Sequence, residues 1–361
     1  MRRTTGPVIE VETLADFDHR VALGTRSLAG WHLQSIDLSG RSGVLRSLPV
    51  AGALFLGCRF AAGDEDSVRH RGGIVFPAVP DAPLDTYRGS LYTPRDLYDS
   101  PSYPDSLDAR AYAWSRQPRD LDLTLAQALH DHAIDDALSA WIESRRLVGV
   151  MGGHALARGA TEYADAARLG RLLSATATVA TGGGPGAMEA ANLGAWLSRR
   201  SSEELDQALA MVAAEPSFRP DIGAWAKAAF DVIEAFPDGA ESLGVPTWHY
   251  GHEPPNPFAS QIAKYFHNAT REAILLEICR AGIVFLPGAG GTVQEIFQDA
   301  CENYYGDEAS VAPMVLVGIE HWTRTLPAWP LLTALAKGRP MESHVHLVAT
   351  VEEAAELVAH H

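Results

Sequence analysis

Residues 281–300 read AGIVFLPGAGGTVQEIFQDA. An apolar run passes straight into glycines and then into a segment that opens with Thr292 and Glu295, which predicts a strand, a tight turn and a helix. Such a junction suits an anion, because the free amides and the dipole of a helix start face it and glycine lets the backbone come close. Thr292 adds a hydroxyl donor. Glu295, one turn in, points back toward the loop mouth, where it can face a ribose. The plainer alternatives are a tight strand-to-helix turn and a carboxylate that complements the helix dipole. A second stretch, VATGGGPGAMEAAN at 179–192, has the same form, with Gly182, Gly183, Gly184 and Gly186 between an apolar strand and a helix. In an open α/β sheet both loops can line one crevice beyond the carboxyl ends of the strands. GGGPG does not match the dinucleotide fingerprint G-x-G-x-x-G, and no acidic residue stands where one would hold a ribose 2′-OH, so NAD is disfavoured.

Strand, glycine turn and helix alternate from residue 146: LVGVMGG, TEYADAARLGRLLSA, TVATGGGPG, AMEAANLGAWLSRR. This rhythm predicts a doubly wound, Rossmann-like parallel sheet with helices on both faces over 146–361. The acidic, alanine-rich stretch 201–242 reads as a helical insertion. The rhythm then resumes with a helix over 258–279, the strand GIVFLPG, a helix over 292–303, the strand PMVLVGI, a helix over 329–337, the strand HVHLVAT and a closing helix. Residues 1–80 read as a smaller β-rich unit of short apolar runs separated by turns, with no repeat of solenoid length. Residues 81–145 read as an extended Pro- and Tyr-rich connector followed by a helix, with Leu125, Leu129, Ala133, Ala137 and Trp141 as its apolar stripe.

Composition bounds the function. The 361 residues carry 29 Lys and Arg against 45 Asp and Glu, a net charge of −16, which argues against a nucleic-acid partner. No stretch of 18 apolar residues is present and MRRTTGPVIEVETLADF has no apolar core after its arginines, so no membrane span and a cytoplasmic location are expected. Cys58, Cys279 and Cys301 lack CxxC spacing and read as reduced core thiols. The only lysines are Lys227, Lys264 and Lys337.

TGGGPGAMEAANLGA and PGAGGTVQE resemble the two signature loops of the LOG family, phosphoribohydrolases once labelled lysine decarboxylases. The resemblance spans roughly 146–359 and starts with VGVMGGHALARGATEYADAARLGRLL. It implies a nucleotide-binding Rossmann-like domain that hydrolyses the N-glycosidic bond of a nucleoside 5′-monophosphate to free base and ribose 5-phosphate. It also implies an AMP-like ligand, no cofactor, and a homodimer or higher homo-oligomer. By the same resemblance Glu295 is the catalytic carboxylate, and Arg271, in NATREAILLEICRAG, is the second essential group, with Arg280 its nearest rival. Gly288, Gly290, Gly291 and Thr292 are expected to hold the phosphate. The family loop is written PGGxGTxxE, so Ala289 replaces a glycine, which matters if that position needs a positive φ.

Cleavage of an N-glycosidic bond develops oxocarbenium character on the ribose and negative charge on the departing base. A carboxylate answers the first as electrostatic stabiliser, nucleophile or base for water, and these roles stay open for Glu295. An arginine fork clamps phosphate or ribose. Gly152 and Gly153, with His154, are expected at the pocket floor. Met188 contacts the base or packs in the core. Glu189 touches ribose or complements the helix dipole. Lys264, seven residues before Arg271, is expected on the same helix face, assisting an anion. A pyridoxal enzyme needs a Schiff-base lysine, and none of the three has a convincing setting. His249, His252 and Glu253 fit no standard zinc spacing, so no metal is expected. His130, His132, Asp135 and Asp136 read as a solvated polar stripe. The alternative function is a nucleotide-binding or sensing protein without turnover, regulated by its N-terminal unit.

Overall fold

The computed structural model describes residues 8–79, 81–118, 120–249 and 252–360, and the opening MRRTTGP lies outside them. The chain forms two compact units, Met1–Ser90 with Arg116–Ala137, and Leu91–Ser115 with Leu138–His361. Among the described residues no helix is long and apolar enough to cross a membrane.

The smaller unit has four strands, β1 (Ile9–Val11), β2 (Trp31–Gln34), β3 (Leu54–Leu56) and β4 (Ile74–Phe76), paired in that order and all parallel. Helices Leu14–Ala22, Ser42–Ser47 and Asp64–His70 fill the three connections. The unit is therefore an α/β coil. Equivalent positions recur at Ile9, Trp31 and, one residue on, His32, Leu54 and Ile74, spacings of 22, 22 and 20 residues. A ladder of backbone bonds stacks the turns: Ile9 N donates to Gly30 O, Gly30 N to Gly52 O, and Gly52 N to Gly72 O. This corrects the expectation that no repeat of solenoid length is present. The usable signal was a left-handed glycine before each apolar run, at Gly30, Gly52 and Gly72. Its weakness is that the helical connections share no sequence. One sheet face, with Leu33, Phe55 and Val75, packs with Phe17, Leu45 and Val68 of the helices into this unit's core.

The helix of residues 121–142 forms as expected, but its buried stripe is Leu123, Ala126, His130, Ile134, Ala137 and Leu138, whereas Leu125 is half exposed. His130 and Asp131 are buried with the ring Nδ1 3.2 Å from the Asp131 Oδ1. His130 is thus not on a solvated stripe.

The larger unit has seven parallel strands: β5 (Leu147–Met151), β6 (Thr178–Thr181), β7 (Leu243–Gly244), β8 (Gln261–Ile262), β9 (Ile283–Phe285), β10 (Met314–Val317) and β11 (Val345–Val348). Their order across the sheet is β11-β10-β9-β5-β6-β7-β8, the doubly wound arrangement expected. The chain winds outward from β5 in one direction, returns, and winds outward from β9 in the other. The topology therefore switches between β5 and β9, and the carboxyl ends of strands at such a switch point are where open α/β sheets bind ligands. Buried alanine-rich helices, Thr161–Leu173 and Ala187–Trp196, share one core with β5, β6, β9 and β10. Residues 201–242 hold two helices, Ser202–Val212 and Ile222–Ala235, the first closed by a capping box between Ser201 and Glu204.

The helix expected over 258–279 starts only at Asn268 and ends at Ile278. Residues 262–266 are buried and not helical: Ile262 pairs with Gly244 of β7 and bridges to Tyr92, and Tyr265 bridges to Thr247. Periodicity cannot separate a short, wholly buried strand from a helix. Lys264 is consequently not on the Arg271 helix face. Its Nζ donates to Asp108 Oδ1 at 2.5 Å, and that carboxylate also accepts from Trp248 Nε1 at 2.8 Å and Tyr103 O–H at 2.7 Å. Burial pushes the Lys264 ammonium below its usual range while Asp108 holds it up. Burial and the Lys264 charge also push His252 down to about 3, so its ring stays neutral. Segment 91–115 is thereby fastened to the loops after β7 and β8.

Asp108→Ala is expected to lower unfolding stability by about 3–5 kcal/mol, because it strands a buried ammonium, whereas Asp108→Leu with Lys264→Met recovers part of that loss, the Trp248 and Tyr103 donors staying without their acceptor. Urea titration of the wild type and the two variants measures it.

Candidate functional site

Three loops meet at the carboxyl edge of the sheet. Gly152 and Gly153 leave β5, residues 182–186 leave β6, and residues 287–291 leave β9. Gly153 N donates to Pro287 O at 3.3 Å, and Ala187 N donates to Gly153 O at 3.1 Å, so each loop is backbone-bonded to the next. Gly186, at φ 75°, packs so closely that a Cβ there would collide with the carbonyl oxygen of Gly153. No side chain fits.

The helix after β9 runs from Gly290 to Tyr305, with Ala289 at its N-cap. Ala289 has φ −119°, so replacing the family's glycine costs no backbone strain. A Cβ on Gly290 or Gly291 would meet open space, so no side chain crowds the start of this 16-residue helix. Thr292 is buried directly beneath Gly288, where a Cβ would collide with the Thr292 Oγ1.

Arg271 sits one turn into the helix Asn268–Ile278. Its Nε donates to Val245 O at 2.7 Å and its Nη2 to Gly182 O at 3.4 Å, while Nη1 lies 3.8 Å from Glu295 Oε1. The fork is thus held by the ends of two strands and aimed at the carboxylate. Glu272 accepts from Asn268 Nδ2 and from Gln294 Nε2, both at 2.6 Å, tying the two helices that carry Arg271 and Glu295. The side chains of Arg271 and Glu295 remain 12% and 14% exposed. Burial pushes Glu295 up to about 7; Arg271 pulls it down and Glu272 pushes it further up. A carboxyl poised near neutrality beside an arginine is what acid–base or electrostatic work at a reacting centre requires.

The other expected residues divide. Met188 lies under the β6 loop, against Gly182 and Gly184. Glu189 is fully buried and does not reach the crevice surface: Arg158 Nε donates to its Oε1 at 3.0 Å, and the same guanidinium reaches Trp225 O at 3.0 Å in the inserted helix. His154 lies at the rim, its Nδ1 3.7 Å from the Glu253 Oε1. Sequence reasoning missed Asn256, which is buried and braces the β6 loop through N to Gly183 O at 2.8 Å and Nδ2 to Gly184 O at 3.1 Å. It also missed Thr181 and Asn192, although both lie in the quoted motif. Thr181 O–H donates to Asn192 Oδ1 at 2.7 Å, and Gly183 N donates to Thr181 Oγ1 at 3.0 Å. No group of three or more His, Cys, Asp or Glu side chains able to hold a metal gathers among the described residues. Cys58 and Cys279 are buried and Cys301 is exposed, so not all three thiols belong to the core.

With this geometry in place, comparison with known proteins locates the relationship. Residues 223–361 match the family model described as possible lysine decarboxylase. The resemblance drawn from the loops to the LOG family, which carried that label, is borne out over the stretch that contains Arg271, the β9 loop and Glu295. Similar solved structures include the molybdenum cofactor binding protein of Rippkaea orientalis, at 17% identity over 59% of this chain and 95% of that one, with a TM-score of 0.35. Another is the molybdenum cofactor carrier protein of Chlamydomonas reinhardtii, at 18% identity over 60% and 97% of the two chains and the same TM-score. No curated protein matches the chain.

The decarboxylase description fits the lysines poorly. Lys264 is fully buried and paired, and Lys227 pairs with Asp231 on an exposed helix face. Lys337 follows the helix Ala328–Ala336, which returns to the amino edge of the sheet. A pyridoxal group has no lysine to join at the crevice.

Glu295 also sets a pH dependence of stability. The folded chain holds its proton more tightly than the unfolded chain, so its contribution is complete below pH about 4.5 and is lost as pH rises through about 7. Glu295→Gln is therefore expected to raise stability at pH 8 by up to about 3 kcal/mol, at roughly 1.4 kcal/mol for each tenfold difference in proton affinity, and by little at pH 4. Thermal melts of both proteins across that range test this.

Proposed function

We propose that the crevice hydrolyses the N-glycosidic bond of a nucleoside 5′-monophosphate, giving free base and ribose 5-phosphate. The observation that supports this most is the Arg271–Glu295 pair. A carboxylate raised to about 7 faces an anchored guanidinium 3.8 Å away, beside helix amides left uncovered by Gly290 and Gly291. In this reading the phosphate sits on the amides of Gly288, Gly290, Gly291 and Thr292, and the ribose lies over Glu295. The base lies toward residues 182–186, with Gly152 and Gly153 as floor and Met188 and Glu189 as support beneath. Ionised Glu295 meets the positive charge that develops at C1′, and Arg271 draws the phosphorylated sugar into line with it. The site belongs to a protein acting in the cytoplasm as a homodimer or larger homo-oligomer, in the same proposal.

Incubation with a panel of nucleoside monophosphates, with base release followed by chromatography, is the direct test. Glu295→Gln should lower turnover by at least about 10²-fold, the usual weight of such a group. Should every monophosphate stay intact while nucleotides still raise the melting temperature, the crevice binds without turnover.

Because ionised Glu295 is the active form, kcat/KM is expected to rise with pH through about 7. Arg271→Ala removes the charge that pulls the carboxyl down, so in this variant the residual activity should rise only at higher pH. A pH–rate profile of the wild type and Arg271→Ala shows whether the limb moves.

A further inference from the structure

The face of the repeat unit's sheet opposite its core carries a cavity of about 220 Å³, closed over by the helix of residues 121–142. At about 30 Å³ per water, that volume holds roughly seven waters or one small molecule of one or two rings. Its floor and wall are apolar, from Leu54 and Leu56 of β3, Leu129 of the helix, and the rings of Phe76 and Tyr87. Its other end is polar. His32 and Gln34 of β2 line it together with His132 and Asp136.

Glu10 sets the chemistry of that end. Its two oxygens accept from His32 Nδ1 and Gln34 Nε2, each at 2.9 Å, so both side chains are turned by a single carboxylate. With Nδ1 turned to Glu10, the other ring nitrogen of His32, Nε2, is the one left for a ligand. The Asp136 carboxylate gives the polar end an acceptor beside the two imidazoles and the Gln34 amide, and no lysine or arginine lines the cavity. At the edge of the sheet, Ile74 and Phe76 stay 46% and 43% exposed on this same face, an apolar lip of the kind that a ligand covers. An apolar pocket with a few convergent polar groups is how small-molecule sites are built.

We infer that this cavity binds a small heteroaromatic molecule bearing an amino group, its ring among Phe76, Tyr87 and Leu56 and its amino edge donating toward His32 and Asp136. The site gives the repeat unit a ligand of its own, whatever the crevice of the larger unit does.

Calorimetric titration of the full chain with 2-aminobenzimidazole, and with indole as a ring of similar size lacking the amino group, tests it. The amine is expected to bind at least tenfold more tightly than indole. Asp136→Asn, at an exposed position that leaves the fold intact, should weaken the amine at least tenfold and leave indole unchanged. Ala133→Trp, which fills the cavity, should abolish binding of both, with its melting temperature reported alongside. Equal affinity for the two rings would mean a plain apolar void and overturn the inference. So would the absence of binding, amine binding that is indifferent to Asp136→Asn, or binding that survives in folded Ala133→Trp.

Discussion

Backbone approach at the carboxyl edge of the larger sheet is the constraint on which the rest of the site depends. Gly153 bonds to both neighbouring loops, and the chain can bring β5, β6 and β9 together there only because Gly186 lacks a side chain. Once these loops are locked, the helix start at Gly290 and the carbonyls of Gly182 and Val245 have fixed positions. Arg271 then has two acceptors to grip before it meets Glu295. Its orientation is a consequence of the backbone, and this is why an arginine fork, with donors on three nitrogens, serves where a lysine would not.

Stability and chemistry pull apart at Glu295. The surroundings that bury it raise its pKa by disfavouring its charge, so above neutral pH the fold carries a cost at the position best suited to react. The molecule offsets this with paired polar networks nearby. Asn256, Thr181 and Asn192 brace the β6 loop, Glu189 is sealed against Arg158, and Asp108 collects three donors beneath the loop after β7. Buried polar groups paired in this way rigidify what they join, which gives the short strands β7 and β8 a firmness that two residues of pairing alone would not supply.

The smaller unit obeys a different logic. Three left-handed glycines stack successive turns, and parallel strands then follow without any hairpin. Alternation along each strand sends one set of side chains into the helix-covered core and the other set to the opposite face, where Glu10, His32 and Gln34 stand beside the apolar Leu54, Leu56, Ile74 and Phe76.

The parallel sheet of 146–361 and the two glycine loops were legible in the sequence alone, because they depend on local features, apolar runs ending in glycine and a helix start, whereas Arg271 and Glu295 were singled out only by the resemblance of their motifs to a known family. Local signals also carried the helices of 201–242. Only the tertiary structure decided the rest. The stretch 261–266 stayed out of the helix because its burial and the bridges of Ile262 and Tyr265 to neighbouring strands and loops outweighed helical periodicity, and Lys264 became a structural ammonium because Asp108, 156 positions earlier, lies against it. Glu189 turned inward for the same reason, its partner Arg158 being distant in sequence. The repeat of the smaller unit stayed hidden because what recurs there is backbone conformation at three glycines, and side chains are free to vary around it.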